Sequence, residues 1–163
     1  MRLSVILFLF VFFNETLAQE FSLYDARNLF VNASDNEEMA NKLYEMTKNS
    51  SIETNYKKYS YNAVAILLSS KYTINPFHKI KSFKKGKEKL EMVIHQFPND
   101  IELRFLRFCV QNDTPKIINY KENMQEDSQL IKNNISKSSS ELQQFILPIF
   151  KTLNDGRTSY SSR

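Results

Sequence analysis

Apolar positions along this chain recur at helical rather than strand spacing, and the clearest run is Asn75 to Gln111. Asn75-Pro76 predicts a helix start, because asparagine caps a first turn and proline there gives up an N–H that has no partner. At about 100° per residue, Phe83, Gly86, Leu90, Val93, Ile94 and Phe97 fall on one face. Lys81, Lys84, Lys85, Glu88, Glu91 and His95 fall on the other, which is the pattern of an amphipathic helix with one buried stripe. Pro98 ends it, and Asn99 or Asp100 caps the next helix.

That next helix is apolar nearly all round. Ile101, Leu103, Phe105, Leu106, Phe108, Cys109 and Val110 leave only a narrow strip of Arg104, Arg107 and Gln111. Such a helix packs on both sides, so it is expected to anchor the core.

The remaining segments read the same way. Ser22 to Asp25 starts a helix with Leu23, Ala26, Leu29 and Phe30 inward. Ser34-Asp35-Asn36-Glu37 is a capping-box pattern before a stripe of Met39, Leu43 and Met46. Ser50-Ser51-Ile52-Glu53 repeats that signature ahead of a helix running to about Lys71, with Tyr56, Tyr59, Ala63, Ile66, Leu67 and Ser70 on its inner side. Thr114-Pro115 opens a short segment to Tyr120, and Asn123 to Ile135 offers Met124, Leu130, Ile131 and Ile135 to the core. Ser138-Ser139-Ser140-Glu141 caps a last helix that presents Leu142, Phe145, Ile146, Ile149 and Leu153 and is expected to kink at Pro148. The fold class expected is all-α: antiparallel helix hairpins forming an array of about six to seven helices.

Gly86, Leu90, Val93 and the helix-ending Pro98 resemble the second helix of a tetratricopeptide repeat, although the preceding helix lacks that repeat's Trp, Leu-Gly and Tyr positions. The resemblance implies a right-handed array. Separately, Lys71-Tyr72, Asn75-Pro76-Phe77, Phe83 to Lys87 and Pro98 to Phe108 are similar to a family of uncharacterised exported proteins of flavobacteria and relatives, over about Tyr61 to Ile135. That similarity implies an all-helical fold and a bacterial envelope location, and it implies no activity.

The chain has 163 residues, which suits one domain, and its 42% hydrophobic and 13% aromatic content is enough for a core. Arg2, the apolar run Leu3 to Phe13, polar Asn14-Glu15 and Thr16-Leu17-Ala18 predict a signal peptide over residues 1–18, cleaved before Gln19. The run is too short for a bilayer, which needs about 20 residues, and no transmembrane segment is expected after cleavage. Residues 19–154 then form one helical domain, and 155–163 form a polar, disordered tail. Arg2 and Glu15 cancel, so cleavage leaves the net charge at +4. That excess permits contact with anionic lipid or glycan and falls short of a nucleic-acid-binding stripe. Cys109 is the single cysteine, which excludes an internal disulfide and suits a small buried hydrophobe.

No residue constellation supports catalysis, a metal or another cofactor. Glu88, Glu91 and His95 share a helix face, but Lys84–Glu88 and Lys87–Glu91 are spaced as surface ion pairs. His78 and His95 would stand roughly 25 Å apart on one helix. Two surfaces are candidates for binding. Arg104, Arg107 and Gln111 would grip a carboxylate of a polypeptide partner, unless acids such as Glu126 or Asp127 pair with the guanidiniums internally. Lys79, Lys81, Lys84 and Lys85 form a basic face for anionic envelope lipid or glycan. The expected function is therefore a non-enzymatic, exported interaction or scaffold module of the periplasm or cell envelope, with peripheral binding to an anionic surface as the alternative.

Overall fold

Most helices of this protein begin where a short polar side chain takes up the N–H groups that a first turn leaves unpaired. The computed structural model describes residues 21–154. Ser22 caps α1 (Leu23–Ala33), Asn36 caps α2 (Glu37–Thr47) and Ser51 caps α3 (Ile52–Tyr72). Asn75 caps α4 (Pro76–Gln96), and Asp100 caps α5 (Ile101–Asp113). A 3-10 turn at Lys116–Ile118 closes on Asn119, whose φ of 50° is the left-handed conformation that asparagine tolerates. Then come α6 (Met124–Asn134), a second 3-10 turn (Ile135–Lys137) and α7 (Ser140–Asn154). The described residues are thus all-helical, with seven α-helices and no strand. The expected signal peptide and C-terminal tail lie outside them.

Two local expectations are corrected, and α3 carries an irregularity. The cap of α2 is Asn36, accepting from the Met39 N–H, and not Ser34. Because α1 runs on to Ala33, Ser34 is buried and its hydroxyl donates to Asp113 at 2.8 Å. The helix α3 is irregular at Asn55, where φ is −159° and ψ is 89°, and the Asn55 side chain caps the turn that follows by accepting from the Lys58 N–H. Finally, α3 is not one-sided: every residue from Ser60 to Leu68 is buried. It is a second inner helix beside α5, where burial is unbroken from Glu102 to Gln111. The last helix continues through Pro148.

Packing sorts the helices into two sets. Phe30 of α1, Tyr61 of α3, Phe105 of α5 and Phe145 of α7 meet edge to face. Phe105 and Phe145 lie 5.3 Å apart, and Phe30 lies 6.2 Å from both Tyr61 and Phe145. Edge-to-face pairs of this kind add to the stabilisation from burial alone. The odd-numbered helices therefore converge on one aromatic cluster. Of the others, α2 packs on α1 and α3, α4 mainly on α3, and α6 on α5.

Gly86 sets the closeness of the α3–α4 hairpin. A Cβ there would stand 2.8 Å from the Ala63 carbonyl oxygen, 2.9 Å from the Leu67 amide nitrogen and 2.7 Å from Leu67 Cγ. Two of these neighbours are backbone, so the helices would have to separate. Gly86→Ala should therefore lower stability by about 1–3 kcal/mol, the cost of overpacking. An unconstrained helix site would gain about 1 kcal/mol from the same change. Urea denaturation distinguishes the two signs, and a gain would contradict the close approach.

Candidate functional site

The arginine strip does not face a partner. Arg104 and Arg107 are buried, and α6 brings Asp127, itself fully buried, against both. Arg107 holds that carboxylate with two hydrogen bonds at 2.7 Å, and Arg104 Nη1 donates to it at 2.9 Å. Arg104 also donates to the Pro98 carbonyl and pairs with Glu126, while Arg107 reaches Glu91 at 2.7 Å. Gln111 is buried as well and donates to Asn123 at 3.2 Å. The expectation of a partner-binding strip is corrected: a helix packed on all sides has no wet edge, and α6 supplies the matching charge. Burial alone would disfavour a charged Arg107, yet Asp127 and Glu91 outweigh it and raise its pKa.

A second network lies near the start of α5. Arg27, for which no motif in the sequence predicts a partner, forks onto Glu102 at 2.8 and 3.0 Å and reaches Glu141 at 2.7 Å. Lys57 bridges Glu102 and Asp100, and the Tyr61 hydroxyl donates to Glu102 at 2.8 Å. Burial pushes the Tyr56 hydroxyl, which donates to Asp100, up to about 12. These groups are consumed in structure. Glu91 is likewise engaged by Arg107 and the Tyr120 hydroxyl, and Lys87 pairs with Glu122 rather than Glu91. Among the described residues no group of three His, Cys, Asp or Glu side chains is placed to hold a metal. Cys109 is buried, and burial raises its thiol pKa well above the usual range.

The lysine face has a different setting. Residues 74–81 are exposed around the whole start of α4, so this half of the helix overhangs the body. On the same segment as Lys79, Lys81, Lys84 and Lys85 are Ile74, 98% exposed, Phe77, 81%, and Ile80, 67%. Phe77 and Ile80 lie off the buried stripe of α4, a signal that the sequence pattern carries.

Behind them is an apolar groove of about 430 Å³. Leu67 and Leu68 of α3, Phe83 of α4 and Val110 of α5 line it, and Ile80 and Ile118 wall it. Lys71, Lys79, Lys84 and Lys87 also line it, with Asp113 the one acid. Lys81 and Lys85 are outside this lining. The Asp113 carboxylate accepts from Ser34, to which Lys71 donates at 2.8 Å. The groove's hydroxyls are tied down, Ser70 donating to the Leu67 carbonyl and Thr114 to that of Val110. A polar cleft of about 350 Å³ adjoins it, sharing Lys71 and Asp113 and adding Lys116 and Lys121. Chemically, the groove suits a ligand with an apolar body and an anionic end.

Removing Asp127 should leave two buried guanidiniums without their shared anion. Asp127→Ala is expected to cost about 3–5 kcal/mol, the usual loss on breaking a buried pair, and thermal unfolding measures it. The other network predicts acid sensitivity. Burial by itself would raise the Glu102 pKa, but the Arg27 hydrogen bond and the Lys57 and Arg27 charges outweigh it and hold the group below its ordinary 4.5. A carboxyl depressed by folding contributes stability that is present above 4.5 and is lost as pH falls through the lower, folded value. Denaturation of the native protein should show this loss below pH 4.5, and Glu102→Gln should flatten the curve in that window.

Comparison with protein-family models, with curated proteins and with solved structures finds no match to this chain.

Proposed function

We propose that this protein is an exported, non-enzymatic binding protein of a bacterial cell envelope, and that it docks on anionic lipid through the overhanging half of α4. The observation that carries the reading is the side-by-side exposure of Phe77 and Ile80 with Lys79, Lys81, Lys84 and Lys85 on one helix segment. Each basic residue near an anionic surface contributes about 1 kcal/mol. Apolar side chains add to this by entering the headgroup boundary, as in interfacial amphipathic helices. Among the described residues no helix is long and apolar enough to cross a membrane, so attachment by this face would be peripheral. Export is supported by Arg2, the Leu3–Phe13 run and Thr16-Leu17-Ala18. The absence of an enzymatic role is supported by the way the acids and arginines beside α5 are consumed in ion pairs.

A scaffold that binds a polypeptide is the second reading. The close approach at Gly86 and the packing of successive helices α1 to α4 on one another support an array of helix hairpins of the tetratricopeptide kind, and the groove would accept an apolar, acidic segment. Vesicles separate the two. The protein should co-sediment with phosphatidylglycerol vesicles and not with phosphatidylcholine vesicles, and salt should release it. Reversing Lys79, Lys81, Lys84 and Lys85 to Glu should weaken binding by more than about tenfold. Indifference to vesicle charge and to these changes would overturn the membrane reading.

A further inference from the structure

The groove behind the lysine face is a separate feature from the face itself, although its reading rests on the proposal that the site meets anionic lipid. We infer that the groove holds one anionic, single-chain amphiphile, its acyl chain along Leu67, Leu68, Phe83 and Val110 and its acidic group among Lys71, Lys79 and Lys84. Three observations carry this. The groove has a volume of about 430 Å³, within the roughly 300–1,000 Å³ of small-molecule sites. Leu67, Leu68, Ile80, Phe83, Val110 and Ile118, from three helices and the 3-10 turn, give it a continuous apolar wall for an acyl chain, and the hydroxyls of Ser70 and Thr114 are bonded to backbone carbonyls. Lysine dominates its charge: Lys79 makes no ion pair among the described residues, Lys84 meets Glu88 only at 3.9 Å, and Asp113 is occupied by the Ser34 hydroxyl. An apolar slot bordered by cations complements a carboxylate or phosphate carried on a hydrocarbon chain. A neutral lipid gains nothing from those cations.

The placement of the lysines makes the inference separable from surface docking. Lys79 and Lys84 border the groove, whereas Lys81 and Lys85, on the same exposed half of α4, do not. Docking on a membrane draws also on Lys81 and Lys85, and holding a single amphiphile needs only Lys79 and Lys84.

The test is displacement of dansyl-undecanoate by caprate, laurate and myristate, each below its aggregation concentration, on the purified protein. Binding should saturate at one probe per chain. Affinity should rise about fourfold per added methylene until the groove is filled, following about 0.8 kcal/mol for each buried CH₂. Lys79→Glu/Lys84→Glu should weaken it by about tenfold, while Lys81→Glu/Lys85→Glu leaves it unchanged. All four positions are exposed, so both variants should keep the helical circular dichroism of the parent. Dodecanol should bind at least about tenfold more weakly than laurate. Unsaturable binding, the same affinity for every chain length, equal binding of dodecanol, or equal loss in both lysine pairs would each overturn the inference. Vesicle co-sedimentation of the same variants keeps the two readings apart. Vesicle binding without amphiphile binding overturns this inference alone. Amphiphile binding without vesicle binding overturns surface docking alone and leaves the groove's ligand as stated.

Discussion

Burying α5 together with its charges is the constraint on which the rest of the fold depends. Ten consecutive residues, Glu102 to Gln111, are removed from water, and three of them are Glu102, Arg104 and Arg107. Each buried ion costs several kcal/mol in lost hydration, which only well-aligned opposite charge offsets. The neighbours are positioned to supply it. On one side α1 brings Arg27 and α3 brings Lys57 and Tyr61 to Glu102. On the other, α6 brings Asp127 to both arginines and α4 brings Glu91 to Arg107. A turn of α5 by one residue would rotate each charge by about 100° away from its partners. Apolar packing alone would tolerate such a slip far better, so the ion pairs fix the register and the aromatic cluster of Phe30, Tyr61, Phe105 and Phe145 supplies much of the apolar burial.

How far this was legible in the sequence depends on which element is considered. The helices α4 and α5 were readable because cap, stripe and terminating proline all agreed, and Asn75, Gly86, Leu90 and Asp100 do what their patterns imply. The pattern of α3 implies one inner side because Ser60 and Asn62 look like solvent-facing residues. Ser60 bonds backward to Lys57 of its own helix, as the inward Ser70 does to Leu67, while Asn62 takes a hydrogen bond from Lys89. A side chain that satisfies itself locally can be buried at little cost. The same argument runs the other way for Arg104 and Arg107. Their strip was polar and narrow, but polarity does not reveal whether the facing surface is water or an acid on another helix. Glu126 and Asp127 were both available from sequence, and only the rotation of α6 places Asp127 fully inside and leaves Glu126 outside.

The groove could not be read from any one segment. Its lining comes from the end of α3, the start of α4, the end of α5 and the turn at Lys116–Ile118, so no periodicity within a single stretch announces it. What the sequence did contain was the pair Phe77 and Ile80, apolar residues placed off the stripe of their own helix. Single exposed apolar residues are ordinary. Ile80, however, walls the same groove as the exposed Ile118, which makes the exposure of those two a shared surface rather than two accidents.

These two regions divide the molecule's work. The ion pairs around α5 use Arg27, Glu91, Glu102, Arg104, Arg107 and Asp127, and of these none lines the groove. The groove's lysines, except Lys87 through Glu122, make at most a long surface pair or a hydrogen bond to Ser34. Buried, matched charges therefore serve the register of the fold, and the surface open to a ligand resides where cations are exposed beside apolar walls. Exposed, unmatched lysines contribute little to folding, and apolar side chains left in water forgo the stabilisation that burial would give. Holding both together on the overhanging half of α4 does little for the fold, which is the physical reason to look for the protein's binding there rather than along the buried arginines.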